Sequence, residues 1–230
     1  MSAEQTPTVH LSSGEWQPEW FLGGHVVLDF VNTVPWRLDP ARVIERLPDA
    51  AALIQWAHAS ELIGTQQRDE LCAEAEADAA LARTVATQAR ELRELLYGLL
   101  QPVTIGETPD DTEVDEVRRA VTDALGNAEI ATVVPLHLVV PVRAVRDLPR
   151  ALALSAWRLL QFDDLTRLRQ CHDAGCGWLF MDRTKNASRV WCSSSDCGNR
   201  TRARRHYQRQ RGASSPGLAK PSRAQAGDQR

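Results

Sequence analysis

Four cysteines, Cys171, Cys176, Cys192 and Cys197, stand in the pattern C-x4-C-x15-C-x4-C. Two close pairs separated by a hairpin-length spacer are what a tetrahedral four-thiolate zinc site requires. Each pair offers two sulfurs from one tight turn, and the spacer brings the pairs together. With all four positions filled by protein, no water stays on the metal, so one Zn2+ here would be structural and zinc hydrolase chemistry is disfavoured. A unit of about 45 residues buries too little apolar area to fold alone, so metal binding would supply much of its folding free energy. His172, beside Cys171, is a conceivable substitute ligand, but four thiolates already suffice.

The chain leaves the last cysteine as CGNRTRARRHYQRQRG. Asn199 suits the N-cap of a helix from Arg200 to about Gln210. On a helical wheel Ala203 and Gln210, flanked by His206 and Tyr207, fall in a gap expected to pack on the cysteine unit, with the arginines outward. Such a helix can neutralise several phosphates and fork onto guanine edges. The candidate DNA contacts are therefore Arg200, Arg202, Arg204, Arg205 and Arg209, with Arg183, Lys185 and Arg189 from the preceding turn. A solvated basic face without a partner is the plainer alternative. Trp178, Leu179, Phe180 and Trp191 are the apolar residues available to cover the cysteines. The alternation around Leu179 and Val190 predicts a β-hairpin with Asp182–Ser188 as its turn, and Gly177 and Gly198 would let backbone N–H groups curl toward sulfur.

Charge is distributed unevenly along the 230 residues. Residues 1–164 carry 13 Lys and Arg against 26 Asp and Glu, a net of −13, whereas residues 165–230 carry 14 against 4, a net of +10. A block of that sign suggests an anionic partner, nucleic acid first. No apolar run approaches the roughly 20 residues needed to span a bilayer. The start, MSAEQTPTVHLSSGEW, lacks the basic and apolar regions of a signal peptide. A cytoplasmic location is expected, where thiols stay reduced and a metal site is favoured over disulfides.

Upstream, Val26–Val34 is too apolar for its periodicity to separate strand from helix, and Arg42–Leu47 reads as a short strand or a connector. Helices are expected from Pro48-Asp49 to about Ser60, over Gln66–Ala80, over Leu81–Gln101 with an inward stripe at Leu92, Leu95, Leu96 and Leu99, over Glu113–Leu125, and over Pro149–Phe162. Ile130–Val134 and Leu136–Val142 read as a hairpin or edge pair. Asp29, Asn32 and Thr33 are polar groups inside an apolar run. They could form a ligand or domain-contact site, or serve as buried hydrogen-bond anchors, and the anchor reading is favoured because buried polar groups need partners. Cys72 reads as a small apolar filler. His25, His58 and His137 have no carboxylate or cysteine at useful spacing, and no phosphate loop, G-x-S-x-G or H-E-x-x-H motif appears, so an enzyme is not expected.

The string CHDAGCGWLFMDRTKNASRVWCSSSDCGNRTRARRHYQR strongly resembles the CGNR zinc-finger family through its paired cysteines, Trp178–Asp182, Arg189–Ser193, the Cys197-Gly198-Asn199-Arg200 signature and Arg202–Tyr207. FLGGHVVLDFVNT (Phe21–Thr33) resembles the opening motif of the ABATE domain, which commonly precedes this finger. Ser194 and Asp173-Ala174-Gly175 depart from the usual family residues without touching a ligand. The resemblance implies a bacterial transcription regulator whose four cysteines bind zinc.

The expected fold is α+β: a flexible N-terminus over 1–20, a mainly helical ABATE-like domain with a few short strands over 21–164, a small zinc finger of hairpin plus basic helix over 165–211, and a disordered tail over 212–230. The expected partner is DNA. The N-terminal domain would sense an unidentified effector, form a homodimer, or mask the finger through its opposite charge. A zinc-stabilised protein-interaction module without DNA binding is the alternative.

Overall fold

The computed structural model describes residues 16–213, with side chains as far as residue 210. The expectations for 1–15 and 214–230 lie outside the described residues. Trp16–Trp20, assigned to the flexible leader, include a short 3-10 turn over Pro18–Trp20. Trp16 packs on the main core and Trp20 on the cysteine cluster.

Seven helices follow along the described chain: α1 (Val26–Val31), α2 (Ala50–Ala59), α3 (Thr65–Ala77), α4 (Ala79–Leu100), α5 (Asp111–Gly126), α6 (Leu148–Phe162) and α7 (Asn199–Ala213). Two small antiparallel sheets pair β1 (Glu129–Ala131) with β2 (His137–Val139), and β3 (Leu168–Gln170) with β4 (Leu179–Met181). The fold is thus α+β and mainly helical, as the residue pattern implied. Aspartates set several helix starts. Asp49 accepts from the Ala52 N–H at 2.8 Å, Asp78 from Ala80 and Leu81, and Asp110 from Thr112. Each satisfies an orphan donor of a first turn.

The ambiguous stretch after Gly24 is helix α1. Val27, Leu28, Phe30 and Val31 are all fully buried. A helix buried around most of its circumference has no polar stripe to betray its period. Around it pack α4 and α6, while α2 and α3 lie against α4, and α5 bridges α4 and α6. Leu92, Leu96 and Leu99 of α4 are buried, with Leu95 at the margin.

Arg42–Leu47 is a connector, not a strand. Its backbone is held by isolated backbone and side-chain bonds instead of a ladder. The Arg46 N–H donates to the Thr33 carbonyl at 3.2 Å, and Leu47 N–H to Glu45 Oε1 at 2.7 Å. Arg93 of α4, only 3% exposed, forks onto Glu45 at 2.7 and 2.6 Å. Its bidentate bonds offset burial of the guanidinium.

Strand β4 joins the two ends of the molecule. Leu179 and Met181 enter the main core with Leu168, while Phe180 and Trp178 enter a second cluster with the four cysteines. This is the period-two alternation of a strand with both faces covered. Its register sets Leu168 opposite Met181 and Gln170 opposite Leu179. The hairpin therefore lies ahead of its expected place. Residues 171–178 form its loop and carry the first cysteine pair, and Val190 is in no strand. The physical reason lies in Asp182. Its carboxylate accepts from the N–H and hydroxyl of Thr184 and from the Arg189 N–H, at 2.6 to 2.9 Å. Those bonds turn the chain away before a return strand can pair. They also hold the Asp182 carboxyl below the usual carboxylate range against the opposing cost of burial.

Candidate metal centre and basic helix

The loop of the β3–β4 hairpin presents Cys171 and Cys176, and the turn leading into α7 presents Cys192 and Cys197. All four sulfurs lie within 4.8 Å of one another, and all four residues are buried. Cys176 and Cys192 sulfurs are 3.7 Å apart, and those of Cys192 and Cys197 are 3.5 Å apart. Disulfide sulfurs sit at about 2.05 Å. Four thiolates at about 2.3 Å from a central ion in a tetrahedron would be about 3.8 Å from each other. The quartet therefore fits a tetrahedral thiophilic ion. Mutual hydrogen bonding shifts three of the thiols in opposite directions. Cys171 is pushed far below an ordinary thiol, first by its hydrogen bond with Cys176, whereas Cys176 and Cys192 are pushed far above it, first by Cys171. A divalent cation at the centre would displace the protons of those hydrogen bonds.

The turn before α7 is wide, over Ser194–Gly198, and Ser193 caps it by accepting from the Asp196 N–H at 3.2 Å. Asn199 is consequently not the N-cap. It is already helical, and its amide donates to the Ser195 carbonyl at 2.8 Å. Of the two glycines, Gly177 has φ +73°, a conformation that suits glycine, and a Cβ there would meet Arg37 and Leu38 at 3.0 Å. Gly198 has no such backbone need, and its N–H donates to the Ser193 carbonyl rather than to sulfur. The backbone N–H of Asp173, two residues on, acts on the Cys171 sulfur.

The basic residues divide into two groups. Arg200 is not a free DNA contact. It donates to Asp173 at 2.6 Å, to Asp196 at 2.6 Å and to the Cys197 sulfur at 2.9 Å. Arg189 is likewise engaged, donating to the carbonyls of Leu22, Trp191 and Cys192. Arg183 donates to the Gly24 carbonyl and to Asp163. Arg202 donates to the Ser194 carbonyl and to Asn199, and Arg204 lies 3.6 Å from Asp173. Arg205, Arg209 and Lys185 are exposed, with no bonded partner among the described residues. The gap expected to pack on the cysteine unit does not do so: Ala203, His206, Tyr207 and Gln210 are exposed. Only the root of α7 touches the finger, through the polar side chains of Asn199, Arg200, Arg202 and Arg204, because four buried sulfurs and two tryptophans leave little further apolar surface there. Nor does the acidic half cover the helix among the described residues, since no carboxylate pairs with Arg205 or Arg209.

Two family models match the chain, in order. ABATE, described as "Putative stress-induced transcription regulator", matches residues 24–170, well over half of the chain. The protein belongs to the ABATE family. The CGNR zinc finger matches residues 167–210. No curated protein matches the chain. Both matched families are regulatory or zinc-finger families, not enzyme families. Among the described residues, no helix is long and apolar enough to cross a membrane.

In this ABATE protein the polar trio of α1 and its end is built into the frame. Asn32, 2% exposed, accepts from the Leu179 N–H and donates to the Leu179 carbonyl, both at 2.8 Å. It acts as a piece of strand edge toward β4 and ties the ABATE region to the finger. Thr33 donates to the Phe30 carbonyl and accepts from Arg93. Asp29 accepts from the Gly23 N–H at 2.7 Å, and burial pushes its carboxyl up to about 6 against that bond and the charge of Arg189. The folded chain thus holds this proton more tightly than the unfolded chain, which ionises near 3.9. Stability contributed by Asp29 should fall as pH rises from about 4 to about 6 and be level above that. Asp29→Asn keeps an acceptor for Gly23 and is expected to remove the fall, gaining at most about 3 kcal/mol at pH 7. Urea unfolding of both proteins from pH 4.5 to 7 measures it. A difference between them that does not change with pH would refute the assignment.

Sequence reasoning missed Asp173, Trp36 and Arg46. Asp173 was legible in part: a buried carboxylate between two of the clustered cysteines needs a cation, and Arg200 supplies it. Trp36 and Arg46 carried no local signal, because only folding brings them to the cysteines.

Proposed function

We propose that the protein is a zinc-dependent DNA-binding transcription regulator, with an ABATE-like unit over 21–164 and a finger over 165–211. One structural Zn2+ would be held by Cys171, Cys176, Cys192 and Cys197, inside a cell where thiols stay reduced. With four thiolates the ion supplies folding energy and no open coordination position. Arg200, bonded to Asp173 and to the Cys197 sulfur, sets the direction of α7.

The observation that carries the reading is α7 itself. Its 15 residues make a rod about 22 Å long. It leaves the cysteine cluster with Arg202, Arg204, Arg205 and Arg209 exposed. A rod of that kind fits the major groove, which is about 12 Å wide. Arg205 and Arg209 would reach phosphates or base edges. Arg202 and Arg204 would contribute near the root, and Lys185 and Arg183 flank it. The ABATE unit would sense an effector or mediate homodimerisation.

The test is duplex DNA binding by the zinc-loaded full chain as a function of salt. Replacing both Arg205 and Arg209 with Ala is expected to weaken binding at least tenfold at low salt. It should also reduce the slope of log affinity against log salt by about 1.8, since each neutralised phosphate contributes about 0.9. Zinc content and helicity should be unchanged because neither side chain bonds within the finger. Affinity and slope equal to wild type would refute the assigned face.

A further inference from the structure

Between the opening segment and the finger lies a cavity of about 440 Å³, within the range that holds small-molecule ligands. Trp20, Trp36, Trp178, Arg46, Arg200 and three of the cysteines line it, with two carboxylates, Glu19 and Asp196, the latter paired with Arg200. Arg46 is the unusual member. The other arginine in this wall, Arg200, has acceptors, but the Arg46 guanidinium has no carboxylate or carbonyl partner among the described residues, and its Nε is buried unbonded. It lies 3.7 Å from the Trp20 ring centre and 6.0 Å from that of Trp178. Burial lowers its pKa to about 10 with no acid opposing the change. Trp178, 7% exposed, is a second unbonded donor, since its indole N–H is also buried without a partner.

Buried donors left unbonded are costly, at about 1–3 kcal/mol each. The Arg46 Nε and the Trp178 indole N–H are closed off, but the Arg46 guanidinium that lines the cavity is left without an acceptor. A guanidinium selects an anion, carboxylate above all, by its paired N–H groups. Arginines stack on Trp20 and Trp36, so Trp178 and the edges of the other two indoles give the wall its apolar surface for a flat ring. A four-thiolate zinc centre would carry a net charge of about −2 and could itself draw a cation. Arg200, however, bonds the Cys197 sulfur, and Arg46 bonds none.

We propose that this cavity binds a small aromatic carboxylate, its carboxylate accepting from Arg46 and its ring lying among Trp20, Trp36 and Trp178. Trp36 adds a further mark. It holds φ +57°, a left-handed backbone that a tryptophan rarely adopts, with Arg42 at 3.2 Å and Arg200 at 4.1 Å from its ring centre. Such strain persists where surrounding contacts over-determine it, often at ligand sites. Because Arg200 and Cys197 share the cavity wall with Arg46, an occupant would touch the root of α7. That link to the helix rests on the DNA-binding reading; the binding of the carboxylate does not.

The experiment titrates the zinc-loaded full chain with benzoate, cyclohexanecarboxylate and inorganic phosphate, following tryptophan fluorescence and calorimetry without DNA. Benzoate is expected to saturate, with cyclohexanecarboxylate at least fivefold weaker and phosphate unable to compete. Arg46→Met keeps the apolar stem and should weaken benzoate at least tenfold, whereas Arg119→Met, on α5, should not. The Trp178 indole proton should shift on benzoate addition to wild type, a readout that stands even if Arg46→Met folds poorly. No saturable benzoate binding, no Trp178 shift, equal binding by Arg46→Met, or equal competition by phosphate would each overturn the proposal. Failure here with DNA binding intact would leave the helix assignment standing.

Discussion

Replacing Cys192 with serine should strip the metal from the protein and unfold the finger while leaving most of the helical unit intact. The Cys192 sulfur lies 3.7 Å from that of Cys176 and 3.5 Å from that of Cys197, so it closes the quartet. A serine hydroxyl is a shorter and harder donor that stays protonated near neutral pH. Zinc binding contributes about 10–16 kcal/mol to the folding of small four-ligand units. The second cluster holds little besides the cysteines, Trp178 and Phe180. Without the ion there is not enough apolar burial to keep Cys197 and the root of α7 in place. Leu168, Leu179 and Met181 belong to the larger core, so β3 and β4 should survive in part. Elemental analysis should find one zinc per wild-type chain and almost none in the variant. Tryptophan fluorescence should report exposure of Trp178 and Trp191. A variant that retained stoichiometric zinc with unchanged affinity would sink the ligand assignment.

Asn32→Ala should cost about 3–5 kcal/mol, because it leaves both the N–H and the carbonyl of Leu179 buried and unbonded, at about 1–3 kcal/mol for each group. Leu179 is fully buried, so water cannot readily replace the lost amide. Asn32→Asp should recover part of the loss, since its carboxylate still accepts from the Leu179 N–H while repelling the carbonyl. The effect should extend to the metal. Leu179 immediately follows Trp178, whose carbonyl accepts from the Cys171 N–H at 2.8 Å. Zinc should therefore transfer faster from the variant to a competing chelator. Urea unfolding gives the first quantity and chelator exchange the second. A loss below about 0.5 kcal/mol, the size usual for surface changes, would show that Asn32 does not join the two parts.

Much of this architecture was legible because it rests on local chemistry. The spacing of Cys171, Cys176, Cys192 and Cys197 announced the cluster, and the capping aspartates with the leucine stripe of α4 announced helices. The errors fell where local pattern competes with longer-range bonding. Val190 looked like a strand residue, but the bonds of Asp182 to Thr184 and Arg189 turn the chain first. Asn199 looked like a cap, but Ser193 starts the turn earlier. The helical wheel assigned Ala203 and Tyr207 to an interface because it assumed a neighbour for them. Both are exposed.

The sequence by itself determined the four-cysteine pattern, the helical frame and the segregation of positive charge into the last third of the chain. These depend on residue identity, on local spacing and on composition along the chain. Only the tertiary structure decided which arginines are available and which brace the finger. It alone joined Asn32 to Leu179, and it alone set Arg46 among tryptophans beside the cysteines. Those outcomes depend on contacts between residues separated along the chain, by 147 positions for Asn32 and Leu179 and by 27 for Arg200 and Asp173, where side-chain chemistry states a need but folding selects the partner.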